Sequence, residues 1–225
     1  MLAPGKPATA SRHRLIEAAI LAFAEKGYDG AGIREIARRA RANSALVAYH
    51  FGGKEGLYRE ALRAIFTRRP SPVAGLKEPP ALDTPGARAA ALAGLKAYIR
   101  AFLEELLACG GGDPVDEAAM VLMSREMQAP QPASASILLE HVRPYVAFLM
   151  ACLQRLRPDL DDEARFAMGV SIQGQVLHFR NSLGIQRLIR GNPAYPEDLE
   201  RIIQHFTDFS LRGLGIPEAF PQPRP

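Results

Sequence analysis

The fold is decided by residues 16–62, which read IEAAILAFAEKGYDGAGIREIARRARANSALVAYHFGGKEGLYREAL. Apolar side chains recur here every three or four residues, as at Ile16, Ala19, Ile20 and Phe23, and this period is typical of an amphipathic helix. Glycine and polar residues interrupt the period three times, at Gly27, after Ala40 and at residues 52–53. The stretch therefore predicts several short helices joined by tight turns.

We expect a first helix from Ser11, a candidate N-cap, to Gly27, since glycine readily closes a helix. Two short helices should follow over residues 33–40 and 44–51, the second with Asn43 as a candidate N-cap, and a longer helix should start near Lys54. Two short helices behind a supporting helix are typical of a helix-turn-helix, whose second helix enters the DNA major groove. Many all-helical enzymes contain a similar pair, so the pair alone does not establish DNA binding.

Charge is distributed unevenly along the chain. Residues 1–69 hold thirteen lysines and arginines against six acids, which gives +7, so the remainder carries −3 of the total of +4. A basic segment attached to a mildly acidic body is expected of a nucleic-acid-binding domain. A solvated basic face would give the same numbers, and charge alone does not separate the two.

The rest of the chain also has a helical period, with no alternating strand pattern. Residues 70–86 contain five prolines and predict a linker or irregular loop. After this segment, one helix should end at Cys109. Four more should run from Asp113–Pro114 to about residue 128, over about 134–157, over about 161–188, and from Pro196 to about residue 213. We expect an all-α protein with a DNA-binding domain over 1–69, the linker over 70–86, a second domain over 87–216, and a loose tail over 217–225.

Other classes of protein find little support in the sequence. The N-terminus lacks a signal-peptide pattern and no apolar run is long enough for a membrane span, so we expect a cytoplasmic protein. The two cysteines, Cys109 and Cys152, have neither zinc-site nor disulfide-framework spacing and are expected to be free thiols. No familiar catalytic motif occurs. We expect no cofactor, no metal and no enzymatic activity.

Three pieces of the quoted stretch, AFAEKGYDG, IREIARRA and YHFGGKEGLY, resemble the DNA-binding domain of TetR/AcrR transcriptional regulators almost position by position. Later segments, SREMQAP, EHVRPY and SIQGQVLHFR, resemble the CecR-like branch of that family. The resemblance implies an N-terminal three-helix helix-turn-helix domain and a C-terminal helical bundle for ligand binding and dimerisation. Two positions depart from the pattern, because Arg41 stands where the turn usually has glycine, and Gly32 where the second helix usually opens with Thr or Ser.

The resemblance also implies roles for individual residues. Arg34 matches a position that reaches a base edge or a phosphate, Ser44 and Leu46 are base-facing, and Tyr49, His50 and Lys54 match backbone contacts. Packing or capping explains Tyr49 and His50 as well, and Lys54 is also compatible with a solvated charge, while Val47 and Phe51 fit a core better than DNA. The expected DNA-binding residues are Arg34, Asn43, Ser44, Ala45, Leu46, Ala48, Tyr49, His50 and Lys54.

The expected recognition helix carries few polar groups. Its residues 44–48, SALVA, offer one side-chain hydrogen-bonding group. Direct recognition of bases must then depend on apolar contact with thymine methyl groups, on Arg34 and on DNA shape.

The second domain is expected to sense a small molecule and to form a homodimer, because two recognition helices must be held at a fixed distance to bind a palindrome. By resemblance, the dimer interface lies on the helices over about 161–188 and 196–213, whose apolar faces also suit an intramolecular core. Met and Phe at helical spacing usually mean core as well. Candidate effector-binding residues are Phe102, Met120, Met123, Phe148, Gln173, His178 and Arg180.

Three rival functions remain at this point. An all-helical enzyme would need an acid-base or metal cluster, which the five scattered histidines do not form. A non-specific architectural protein would bind DNA without preferring one palindrome. A helical protein-interaction module would not bind DNA, which the basic N-terminal segment disfavours.

Overall fold

The structure, a computed structural model, describes residues 6–68, 71–108 and 113–216. In these ranges every regular element is helical, which confirms the predicted all-α class. The helices are α1 (Lys6–Gly30), α2 (Ile33–Arg39), α3 (Ala45–Phe51), α4 (Lys54–Arg68), a 3₁₀ helix (Pro72–Gly75), α5 (Ala87–Leu107), α6 (Pro114–Gln128), α7 (Ala135–Leu156), α8 (Asp162–Arg190) and α9 (Leu199–Gly213).

Most predicted helix ends agree with the structure, because capping residues mark them. The side chain of Asp113 accepts a hydrogen bond from the Val115 N–H, and Pro114 occupies the first turn of α6. Asp161 and Asp198 cap α8 and α9 in the same way. The expectation for Ser11 is wrong: α1 begins at Lys6, and Ser11 is a buried residue inside the helix. The expected tail over 217–225 and Cys109 lie outside the described residues.

Two glycines have a positive φ where the sequence predicts helix breaks, one inside α1 and one at the end of α3. Gly27 interrupts α1 with a φ of 72° and a ψ of 176°. Gly52 ends α3 with a φ of 71°, and its N–H donates to the Ala48 carbonyl at 2.9 Å. Residues that carry a side chain rarely adopt such positive φ angles, so both turns depend on glycine.

By contacts, the described chain divides into two compact units. The first unit comprises the described residues within 1–70 and 109–142, and the second comprises those within 71–108 and 143–225. The sequence-based division at residues 70–86 puts α6 with the second domain, whereas in the structure α6 packs within the first unit, where Leu122 of α6 and Ile137 of α7 are buried in its core. The assignment of DNA and ligand binding to the two predicted domains stays a prediction.

The core of the first unit is built around α1. Leu15, Ala19, Ile20 and Phe23 of α1 are almost fully buried together with Val47 of α3. From α4, Leu57, Tyr58, Ala61 and Leu62 complete this core. The helix-turn-helix therefore lies on one side of a core that α1, α4 and α6 share.

A buried polar cluster connects α4 to α6 inside this core. The Glu126 carboxylate is 3% exposed and accepts hydrogen bonds from the Tyr58 and Ser134 hydroxyls and, at 3.2 Å, from the Gln131 N–H. A buried carboxylate is tolerated when such donors replace water. Burial, followed by the bond to Glu126, raises the pKa of Tyr58, so its hydroxyl remains a donor.

The second unit has a separate core. It contains the 3₁₀ helix, α5, most of α7, α8 and α9, with Leu95, Tyr98, Leu149, Leu153 and Val176 among its buried side chains. Val73, which belongs to the predicted linker, is buried in this core. Part of the proline-rich segment is therefore packed against the second unit and is not a free linker.

Helix α7 supplies much of that core, which accounts for its long apolar sequence. By length and hydropathy it is the one helix in the described ranges that would be long and apolar enough to cross a membrane, and a core helix passes the same test. Its Leu149, Cys152 and Leu153 are buried in the second core. Burial raises the pKa of the Cys152 thiol to about 12, and this free cysteine therefore stays protonated and unreactive.

Gly56 provides a test of the α3–α4 packing. A Cβ atom at this position would lie inside the van der Waals contact distance of the Phe51 backbone oxygen and carbon. Because backbone atoms cannot move aside cheaply, Gly56→Ala should destabilise the protein by about 1–3 kcal/mol or more. Urea unfolding followed by circular dichroism measures this change.

The matched control is Gly32→Ser. Gly32 precedes α2, carries no capping hydrogen bond, and has no atom within 4 Å of the place that a Cβ would take. Serine is a preferred N-cap, so this variant should be neutral or slightly stabilised. Unchanged stability of Gly56→Ala would contradict the close approach of α3 and α4.

Candidate nucleic-acid interface

The turn between α2 and α3 is closed by backbone hydrogen bonds. The Ala42 N–H donates to the Ala37 carbonyl at 2.9 Å, and the Arg41 N–H donates to the Arg38 carbonyl at 3.1 Å. This pair is a Schellman motif, which needs a left-handed residue at its centre, and Arg41 has a φ of 50°. A side chain in this conformation costs about 1–2 kcal/mol, which explains why glycine is the usual residue here.

Helix α3 starts with help from Asn43. The Asn43 Oδ1 accepts a hydrogen bond from the Ala45 N–H at 2.9 Å. The predicted N-cap is nevertheless wrong by one residue, because Ser44 occupies the N-cap position and makes no side-chain capping bond. The bond to Ala45 holds the Asn43 side chain at the exposed N-terminal end of α3.

Helix α3 has one packed face and one exposed face. Val47 is fully buried, and Leu46 and Phe51 are half-buried against the first core, so the expected core role of Val47 is confirmed. Ser44, Ala45 and Ala48 are exposed, and Tyr49 is 80% exposed. An aromatic residue this exposed does not serve packing. Of the two predicted base-facing residues, Ser44 lies on this exposed surface and Leu46 is half-buried at its edge.

Helix α2 adds positive charge near this surface. Arg34 is exposed, as a contact with DNA requires. Arg38 follows one helical turn later and is also exposed, so the two guanidinium groups lie on one side of α2. The sequence analysis did not name Arg38, although its spacing from Arg34 could have identified it.

Other basic residues of the first unit are held by carboxylates. Lys26 binds Glu35 at 2.7 Å, and Arg39 binds both Glu35 and Glu25 at 2.6 Å. Hydrogen bonds from Lys26 and then Arg39 lower the pKa of the half-buried Glu35 carboxyl. This network joins α1 to α2, so the excess of +7 overstates the charge that is free to meet a phosphate.

Lys54 and His50 lie at the edge of the exposed surface. The Lys54 ammonium donates to the Asp29 carbonyl at 3.1 Å and lies 4.9 Å from the centre of the Tyr28 ring, so it is half-buried beside the end of α1. His50 is half-buried on the other side of α3, and within the described ranges its Nε2 atom has no hydrogen-bond partner. Their expected contacts with the DNA backbone stay predictions.

The candidate effector-binding residues are divided between the units. Met120 and Met123 lie half-buried on α6 in the first unit, whereas the other five belong to the second. There, Phe102 and Phe148 surround the buried Tyr98, whose hydroxyl accepts a hydrogen bond from Gln173 at 2.7 Å. The sequence analysis missed Tyr98, which has the apolar spacing of any core residue.

The two charged candidates on α8 differ in environment. The Arg180 Nε donates to the Leu106 carbonyl at 2.8 Å, which fixes the side chain against α5. His178 is exposed and lies on a different side of α8 from Gln173 and Arg180. The three residues therefore do not form a single cluster.

Comparisons with known families agree with this geometry. Residues 15–61 match the model of bacterial regulatory proteins of the TetR family. Residues 95–214, more than half of the chain, match the C-terminal domain of the HTH-type transcriptional dual regulator CecR. The chain belongs to the TetR family of transcriptional regulators, in its CecR-like branch. This family consists of DNA-binding regulators rather than enzymes.

Individual relatives match this TetR-family regulator over shorter stretches. The probable HTH-type transcriptional regulator YttP of Bacillus subtilis is 43% identical over 47 residues, or 21% of this chain and 23% of its own length. The biofilm operon icaADBC HTH-type negative transcriptional regulator IcaR of Staphylococcus aureus is 34% identical over 55 residues, or 24% of this chain and 30% of its own length. The chain thus covers less than a third of either relative.

Solved structures resemble the regulator over most of its length. A putative transcriptional regulator from Pseudomonas aeruginosa PAO1 has a TM-score of 0.59 at 22% identity and covers 92% of this chain and 90% of its own. The hemolysin II transcriptional regulator HlyIIR has a TM-score of 0.56 at 16% identity, covering 90% and 97%. These likenesses show the shared fold.

Lys54 can be tested for a phosphate contact. Lys54→Ala should weaken binding to operator and unrelated DNA by the same factor and reduce the slope of log affinity against log salt by about one unit, because one fewer counterion is released. Fluorescence anisotropy between 50 and 200 mM salt measures both quantities.

Lys77→Ala is the matched control, since Lys77 is an exposed lysine of the second unit. It should leave affinity and slope unchanged. A loss by Lys54→Ala that is confined to the operator would mean that Lys54 contributes to sequence recognition instead.

Proposed function

We propose that this TetR-family regulator is a repressor that binds a palindromic operator as a homodimer and releases it when a small-molecule effector binds the second domain. It acts in the cytoplasm, where its DNA target lies, and needs no cofactor. The observation that carries the proposal is the two-faced helix α3, whose packed face positions Ser44, Ala45, Ala48 and Tyr49 on an open surface. A recognition helix requires this combination of rigidity and access.

The chemistry of the exposed face suggests how bases are distinguished. Alanine side chains contact thymine methyl groups, and Ser44 and Arg34 offer the nearby polar groups. Arg34 suits guanine or phosphate by its paired donors. With few direct hydrogen bonds available, DNA shape should contribute much of the specificity.

An apolar stripe on α8 supports dimerisation. Phe166, Val170, Leu177 and Leu188 are 40–77% exposed and recur at helical spacing. They lie away from Ile172, Val176 and Leu183, which are buried in the second core. Phe209 of α9 is 58% exposed as well. A stripe of this kind on both copies fits a symmetric interface, and a second copy would remove it from water.

Repression is supported by the name of a relative, and effector release by the chemistry of the second core. The Staphylococcus aureus relative is named as a negative regulator. In the second unit, aromatic rings and the Gln173–Tyr98 hydrogen bond combine apolar surface with fixed polar groups, which is the usual composition of a small-molecule site. Phe102, Phe148, Gln173 and Arg180 remain the candidate ligand contacts there.

To test the proposal, genomic DNA fragments are mixed with the purified protein at low ionic strength, and the fragments that the protein retains are footprinted. The mass of the protein in solution is measured separately. We expect protection of one palindrome by a dimer. Protection spread evenly along all DNA would indicate a non-specific architectural protein, and a monomer that retains no fragment would contradict the proposal.

If the apolar stripe on α8 forms the dimer interface, negative charges placed on it should separate the two copies. Val170→Glu combined with Leu177→Glu should convert the dimer to a monomer, because two carboxylates per copy would be buried without partners. Operator affinity should fall at least about tenfold, as measured by light scattering and anisotropy. Ala89→Glu, at an exposed position of α5, is the control and should remain dimeric. A dimeric double variant would place the interface elsewhere.

The thymine contacts can be tested on the DNA. Replacing the thymines of each half-site by uracil removes only their methyl groups and should weaken binding by about 1 kcal/mol per contacted base. The same replacement outside the palindrome is the control. Equal affinity for both duplexes would exclude methyl recognition by Ala45, Leu46 and Ala48.

A further inference from the structure

A strongly polar groove lies between α1, α3 and α4, on the side of α3 opposite Tyr49. It has a volume of about 520 Å³, many times the ~30 Å³ of one water molecule. Its lining consists of Arg12, His50, Phe51, Gly56, Arg59, Glu60 and Arg63. All of these residues belong to the first unit.

The groove carries more positive than negative charge. Arg12, Arg59 and Arg63 face one lining carboxylate, that of Glu60, so the lining has a net charge of +2 with a neutral histidine. Glu60 binds Arg12 and, at 2.8 Å, Arg63. Arg59 lies 3.6 Å from Glu55, which is 61% exposed and outside the groove. Arg59 is therefore the guanidinium least engaged by the groove's own carboxylate.

A second feature also points to a missing partner. The Nε2 atom of His50 is buried at this groove and has no hydrogen-bond partner in the described part of the chain. A buried polar atom without a partner is destabilising, so folded proteins usually supply one. The Arg12 guanidinium lies 5.5 Å from the centre of the Phe51 ring, and both residues line the same groove as His50.

The place of the groove suggests what enters it. His50, which the family resemblance assigns to the DNA backbone, lines the groove, so the groove shares one residue with the predicted DNA-binding surface. Guanidinium groups match phosphate oxygens in charge and in paired geometry. Phosphate contacts also supply most of the affinity of DNA-binding proteins.

We propose that this groove binds a phosphate of the DNA backbone, with Arg59 and Arg63 as principal donors and Arg12 and His50 as its walls. The proposal rests on the proposed function and adds Arg12, Arg59 and Arg63 to the expected DNA-binding residues. It also gives His50 a defined role, because the imidazole contributes to one shared phosphate site.

A purely structural role for these residues makes a different prediction. If the arginines serve only to hold α1 against α4 through Glu60, then removing Glu60 or removing Arg63 breaks the same ion pair and weakens DNA binding in both cases. If the groove binds phosphate, Arg63→Gln weakens binding, whereas Glu60→Gln removes the competing carboxylate and strengthens it. The sign of the Glu60→Gln effect separates the two roles.

The experiment uses fluorescence anisotropy to measure binding of an operator duplex and of an unrelated duplex from 50 to 200 mM salt. The unaltered protein is measured first. Arg59→Gln should bind both duplexes about eightfold more weakly at 0.1 M salt and reduce the salt slope by about 0.9. Arg63→Gln should change both in the same direction, and Glu60→Gln should tighten binding and steepen the slope. Arg143→Gln, at an exposed arginine of the second unit, is the control and should change neither.

Thermal unfolding of each variant completes the test. Weaker binding by Glu60→Gln together with a lowered midpoint would overturn the proposal in favour of the structural role, as would an unchanged slope for a folded Arg59→Gln. Failure of the unaltered protein to bind any DNA would instead contradict the proposed function.

Inorganic pyrophosphate, added at constant ionic strength, distinguishes the DNA backbone from a free phosphate ligand. One outcome would show that the groove binds a small ligand and that the DNA assignment is wrong. In that outcome pyrophosphate stabilises the unaltered protein, Arg59→Gln abolishes the stabilisation, and the salt slope of DNA binding stays the same. Parallel loss of pyrophosphate stabilisation and DNA affinity supports the proposal.

Discussion

A helix of seven residues is not stable by itself in water, and both helices of the helix-turn-helix have this length. Helices α2 and α3 therefore exist because the first core holds them. Ile36 and Ala37 of α2 and Val47 of α3 are the side chains by which they are held. The exposed face of α3 can be used for binding only because its opposite face is committed to packing.

The support for these helices extends beyond the segment that contains them. Helix α6 packs on α1, and the Glu126 cluster joins it to Tyr58 of α4 within the same core. Because Glu126 replaces its water shell with hydroxyl and amide donors, breaking any of these bonds would leave a buried carboxylate short of partners. Residues far apart in the sequence thus determine how rigidly α4 and the helix-turn-helix are placed.

Local signals explain which features could be predicted from the sequence. Asp113 and Gly52 act on their own neighbours, so the helix ends that they mark were predictable, and the motif resemblance identified the residues of α3. The place of α6 in the first unit depends on contacts between distant segments, which helical periodicity does not report. Side-chain pairing is also a property of the fold: Lys26 and Arg39 contribute to the formal charge but are held by carboxylates of α1 and α2.

Affinity and specificity in this molecule have different physical sources. The exposed face of α3 is mostly apolar or small, so it can discriminate bases only through contacts worth about 1–3 kcal/mol each. Charge near that face comes from α2 and α4, where Arg34 and Arg38 are exposed and Arg59 is only loosely paired. Such groups attract any duplex, and salt screens them. In the dimer proposed above, preference for one site would arise from summing weak base contacts over two copies held at a fixed spacing, so that spacing would matter as much for recognition as the side chains of α3.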